Sequence, residues 1–175
     1  MKIQNNITHV ALVLDKSSSM SSYSSQLIKV VDNQIAYLAR KSQEENHEVR
    51  VSVYLFGSDV EVLVYDRDVL RLPSISQYYK AHGNTCLIDG LTEAITDLRK
   101  IPEVHATHNW LVFCFSDGEE NCSRKSTASL KDLIGSLPDN YTIAAFAPGV
   151  NAIAECKKYG IPPNNIQVWD VSAKG

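Results

Sequence analysis

The sequence predicts an α/β, doubly wound, mostly parallel six-stranded sheet with helices on both faces. Apolar runs of strand length alternate along the chain with segments of helical periodicity. Two of those runs, His9 to Leu14 and Asn109 to Phe115, lack period-2 alternation and so suit strands covered on both faces. One pair of alternating segments, Val49 to Phe56 and Val60 to Val64 around Gly57-Ser58-Asp59, reads as a hairpin, so the third strand is antiparallel.

Bulk properties fit this class. The 175 residues suit one domain, 1–175, and 44% apolar against 21% charged residues is the balance of an ordinary soluble protein with a full core. A net charge of -3, without a dense Lys/Arg run, argues against nucleic acid. The only apolar run near the N-terminus, Val10 to Leu14, is too short for a signal-peptide core or a bilayer span, so a cytoplasmic location away from membranes is expected. Cys86, Cys114, Cys122 and Cys156 show no Cys-x-x-Cys spacing, and reduced thiols are expected.

Each element has a local reason. After the first strand, Leu27, Ile28, Val31, Ile35 and Leu38 recur at helical spacing between about Tyr23 and Arg40. The connection from Asp66 to Asn84 is long, and its geometric task is to carry the chain back from the hairpin at one sheet edge, with Val69, Leu70, Leu72 and Ile75 packing it down. Asn84 or Thr85 caps the next helix, whose apolar face is Leu87, Ile88, Leu91, Ile95 and Leu98, with Pro102 beyond its end. The strand ending at Phe115 exits through Ser116-Asp117-Gly118-Glu119-Glu120-Asn121. Ser126 or Thr127 caps a helix that Pro138 stops, Tyr141 to Ala147 is a further buried strand, and Asn151 caps a short helix ended by Gly160. Ile166 to Val171 is the last, outermost strand.

The chemistry gathers at one edge. Right-handed crossovers put the hairpin on one side of the first strand and the later strands on the other. The first strand and the one ending at Phe115 then flank a topological switch point, where open α/β sheets bind ligands. Asp15, Ser17 and Ser19 follow the first strand at every second position, Asp117 follows the other, and Thr85 starts a helix at the same edge. Hydroxyls with two carboxylates suit magnesium, and two carboxylates leave the site near neutral, open to a carboxylate from another molecule.

Asp15-x-Ser17-x-Ser19, Gly83-Asn84-Thr85 and Ser116-Asp117-Gly118 together resemble the von Willebrand factor type A domain and its metal-ion-dependent adhesion site. The resemblance covers nearly the whole chain. It implies the strand order 3-2-1-4-5-6, magnesium (manganese or calcium as alternatives) held directly by Ser17 and Ser19, and Asp15, Thr85 and Asp117 bound directly or through water. It also implies a protein partner presenting Asp or Glu to complete the shell. Such domains usually carry a final helix that is apparently absent here, so an uncovered sheet face near Trp169 or Val168 is expected, from a truncated chain or one whose oligomer or partner covers the gap.

Simpler readings stand beside these. Ser19, Thr85 and Asp117-Gly118 also suit helix caps and turns; Glu119 and Glu120 read as rim residues, His82 as an exposed loop residue, Cys86 as pointing to the core, and Trp110 and Trp169 as core contacts. The other four histidines show no transition-metal spacing. A non-enzymatic, metal-dependent binding module is the leading reading. A magnesium-dependent hydrolase or phosphoryl-transfer enzyme is the alternative, weakened because no Asp-x-Asp pair follows a parallel strand and no Gly-x-x-x-x-Gly-Lys loop exists. A scaffold with a structural metal is the third.

Overall fold

The computed structural model describes residues 5–169. The strands are β1 (Asn6–Asp15), β2 (Glu48–Phe56), β3 (Val60–Asp68), β4 (Thr107–Phe115), β5 (Tyr141–Ala147) and β6 (Ile166–Val168); the α-helices are α1 (Ser24–Glu44), α2 (Leu87–Leu98), α3 (Thr127–Gly135) and α4 (Asn151–Lys157). They form one six-stranded sheet in the order β3-β2-β1-β4-β5-β6, with β3 alone antiparallel to its neighbour.

Central β1 explains its own sequence. Val10, Leu12 and Leu14 join a core beneath α1, while Ala11 and Val13 join a second core beneath α2 and α3. Both faces are dry, so no polar residue is called for at alternate positions. The connection after β3 packs down as expected, through short 3-10 turns at Val69–Arg71 and Ile75–Gln77 that bury Val69 and Ile75.

Several expectations need correction. The first helix is longer, running from Ser24 to Glu44, and β3 continues past Val64 to Asp68 across a bulge that strict alternation could not reveal. Neither Asn84 nor Thr85 caps α2, because the cap position is Cys86 and lacks a side-chain bond; Asn151 is the first residue of α4 rather than its cap. Ser126 does cap α3, its side chain accepting from Ser129 N–H. Trp169 is not on an uncovered face: it is buried on the α1 side, with Tyr23 edge-on at 6.4 Å, although Val168 is 40% exposed. Asp170 and Val171 of the expected last strand lie outside the described residues.

Reduced thiols are the clearest error. Cys86 and Cys122 form a disulfide, their Cα atoms 4.9 Å apart, while Cys114 and Cys156 are free and buried. Cys86 is buried as expected, but it points at Cys122, because the loop before α2 meets the loop after β4. Among the described residues no helix is long and apolar enough to cross a membrane.

Candidate functional site

Asp15 ends β1 and is fully buried, so both its oxygens need donors. Oδ1 accepts from Ser17 N–H at 2.8 Å and Ser17 Oγ at 2.6 Å, and Oδ2 accepts from Ser116 Oγ at 2.7 Å. Ser17 is buried and its Oγ lies 3.1 Å from that of exposed Ser19. The Tyr79 hydroxyl donates to the Asp15 carbonyl and fixes the strand end from below.

Two further loops are stitched to this turn. Gly83 O accepts from Ser18 N–H at 3.0 Å and from Ser18 Oγ at 3.1 Å, and His82 N–H donates to Lys16 O at 2.7 Å. Buried Thr85 exchanges bonds with Asn121, its N–H donating to Asn121 Oδ1 at 2.8 Å and its carbonyl accepting from Asn121 N–H at 2.9 Å. Asp117, half-buried after β4, accepts from Glu119 N–H at 3.1 Å and bears electrostatically on Asp15. The fold therefore brings the Ser17–Ser19 turn, the Thr85 loop and the Asp117 loop together at the carboxyl edge of β1 and β4.

Gly118 makes the last loop possible. Its φ is +85°, and an added Cβ would come within 2.6 Å of Glu155 Cβ. Gly118→Ala is expected to cost about 2 kcal/mol or more, seen as a lower urea midpoint, from left-handed strain plus the clash with α4.

Charge at the site is uncompensated. Burial pushes the Asp15 carboxyl up to about 6, against the bonds from Ser17 and Ser116, and Asp117 adds to the rise. No ion pair to Asp15 occurs among the described residues, and neighbouring Lys16 reaches Glu61 instead, at 3.1 Å. Nor do three or more His, Cys, Asp or Glu side chains there gather closely enough to hold a metal. A cation would thus rely on two carboxylates and three hydroxyls, an all-oxygen set that fits a hard ion such as magnesium.

Behind the site lies a network that reading the sequence missed. Glu120 is no mere rim residue, as its carboxylate accepts from Leu87 N–H at 2.7 Å and Ser123 N–H at 2.8 Å, capping α2 from another loop. Ser123 Oγ accepts from Asp89 N–H at 2.9 Å, and Asp89 in turn accepts from Arg124 and Lys125 N–H groups at 2.8 and 2.9 Å. Glu119 and His82 are exposed, as expected of rim and loop residues. Glu120→Ala is expected to lower stability by about 1–2 kcal/mol, the loss of a helix cap, in chemical denaturation.

A mostly parallel sheet carries an oxygen-rich cluster at its switch point. Residues 10–120 match the model of the von Willebrand factor type A domain, and the chain belongs to that family. Comparison with curated proteins gave no match. Among solved structures it is similar to the pilus adhesin SpaC of Lactobacillus rhamnosus GG (TM-score 0.73, 11% identity), covering 97% of this chain but only 28% of that one. It is also similar to an aerotolerance-related membrane protein of Bacteroides fragilis (TM-score 0.60, 14% identity, 93% and 91% covered). A third is proximal thread matrix protein 1 of the mussel byssus, with a zinc-occupied MIDAS motif (TM-score 0.59, 16% identity, 94% and 41% covered). At these identities the likeness is one of fold.

Proposed function

We propose that the domain is a non-enzymatic, metal-dependent protein-binding module that takes an Asp or Glu side chain of a partner at the carboxyl edge of β1 and β4. The carrying observation is the convergence of Asp15, Ser17 and Ser19 with the Thr85 and Asp117 loops around a buried carboxylate that no cationic side chain among the described residues neutralises. Ser17 and Ser19 would hold magnesium directly, with Asp15, Thr85 and Asp117 bound directly or through water; manganese or calcium would suit the same donors. Bound there, the ion would supply a positive centre for an incoming carboxylate. The chain's own residues do the positioning: Ser116 and Tyr79 fix Asp15, Gly83 fixes the serine turn, and Asn121 fixes Thr85. Adhesin and matrix proteins among the structural neighbours accord with an interaction role.

Capture experiments test this. Proteins retained by the wild-type domain in magnesium should be lost both in EDTA and on a Ser17→Ala/Ser19→Ala bait of unchanged fold, whereas identical retention in all three would sink the proposal. The Cys86–Cys122 disulfide supports an oxidising compartment in place of the cytoplasm expected from the sequence, since disulfides persist chiefly in such compartments. Two free thiols at Cys86 and Cys122 in protein isolated under alkylating conditions would return the reading to the cytoplasm.

A further inference from the structure

A second polar cluster lies at the opposite end of the sheet, where β1 and β4 begin. Their register sets Thr8 against Asn109 and His9 against Trp110, which brings His9 beside His108. Both histidines are buried, at 3% and 6% exposure, and their rings lie within 8° of parallel. His9 Nε2 is 3.0 Å from His108 Nδ1, and His108 Nε2 is 3.3 Å from the Val104 carbonyl. On the other side, His9 Nδ1 is 3.4 Å from Asp66 Oδ1 and has no hydrogen-bond partner among the described residues.

Asp66 is aimed there by the bulge in β3. The register with β2 shifts between Val51 and Val53, and Asp66 takes a left-handed φ of +49°. Its N–H donates to buried Ser52 Oγ at 2.9 Å, Arg50 Nε donates to its carboxylate at 2.9 Å, and Arg50 Nη2 donates to its carbonyl. A non-glycine residue held in this conformation by such contacts is a mark of a constrained position.

Proton counting shows what the cluster is suited to. The series Asp66, His9, His108, Val104 has three junctions, with oxygens that only accept at both ends. Two neutral imidazoles bring one N–H each. Whichever tautomers are chosen, two protons leave at least one junction with lone pair facing lone pair. One more proton fills all three junctions, and the Asp66 carboxylate balances its charge.

We propose that His9 and His108 form a buried proton-binding site that takes up one shared proton on mild acidification, its charge faced by Asp66 of edge strand β3, and so loosens the contact of β3 with β1 and β4. A second proton is opposed because it would set two imidazolium rings with nitrogens 3.0 Å apart. The groups facing His9 are Asp66 on β3, Arg50 on β2 (itself bonded to Glu48) and His108 on β4. Trp110, stacked on His9 at 4.1 Å, donates to Glu103 and stacks on Tyr141, which Glu103 and Arg99 influence. Burial holds His9 below the ordinary imidazole range, reinforced by His108 and Arg50 and opposed by Asp66, so uptake falls below about pH 6.5.

Imidazole nitrogen shifts of the nitrogen-15-labelled full chain, followed from about pH 8 to about pH 5, test the proposal. The wild type should gain one proton over the pair, both rings responding at one midpoint, with exchange of β3 amides near Asp66 quickened at least threefold below it after correction for intrinsic rates, because a site whose proton affinity is lowered in the fold favours opening as it fills. Asp66→Asn, which offers the bare Nδ1 an amide donor and removes the counter-charge, should lower proton affinity at least tenfold. Uptake of no proton or of two, or an unchanged midpoint in Asp66→Asn, would overturn it. Should that variant not fold, the wild-type proton count decides alone.

Discussion

Asp15→Asn is expected to strengthen the metal-free domain at neutral pH and to abolish its stabilisation by magnesium. Asp15 is buried, lacks a cationic partner among the described residues, and its carboxyl is pushed up to about 6. Ionising it in the fold at neutral pH therefore costs about 3 kcal/mol relative to the unfolded chain. Asparagine keeps the size and removes the charge, but its amide nitrogen must face one of the donors from Ser17 or Ser116, which returns about 1–2 kcal/mol of that gain. A net gain of about 1–2 kcal/mol corresponds to a rise of roughly 2–8 °C in melting temperature for a chain of this size. Wild-type protein in magnesium at a hundredfold excess over its dissociation constant should gain about 2.7 kcal/mol, and the variant nothing. Melting curves with EDTA and with magnesium decide the matter. A variant weaker than wild type in EDTA, yet still stabilised by magnesium, would contradict the role given to Asp15.

The same carboxyl sets a pH dependence whose sign is opposite to that of a surface carboxylate. Its folded-state value lies above its unfolded one, so its contribution is fully present below about pH 4 and is lost as pH rises through about 6. In chelator, the wild-type stability relative to Asp15→Asn should fall by about 3 kcal/mol over that interval, with magnesium reversing the fall above pH 6. Subtracting the variant removes the other titrating groups, among them His9, whose lowered affinity works with the opposite slope below about pH 6.5. Urea denaturation across this range is the measurement, and a difference that does not change with pH would contradict the prediction.

Most of the architecture was legible because each strand had to satisfy a local condition. His9 to Leu14 had no polar alternation since both faces of β1 are covered, and the hairpin of β2 and β3 alternated because β3 is a half-exposed edge. Asp15, Ser17 and Ser19 were legible as a cluster because two-residue spacing in one turn is local. Their meeting with the Thr85 and Asp117 loops followed from strand order. What escaped depended on pairings between loops: Cys86 with Cys122, 36 positions apart, Glu120 with the N-terminus of α2, and Asn121 with Thr85. None of these leaves a periodic trace. The bulge at Asp66 and the contact of His9 with His108 likewise depend on register, which residue types alone leave open.

Manganese, an oxygen-seeking ion with a usable anomalous signal, gives the most direct test of the central claim. Crystals of the full chain grown in millimolar manganese should show one anomalous peak enclosed by the side-chain oxygens of Ser17 and Ser19, with Asp15, Thr85 and Asp117 around it directly or through water. Absence of a peak there, or a peak held by other residues, would contradict the assignment of this sheet edge as the metal-dependent binding site.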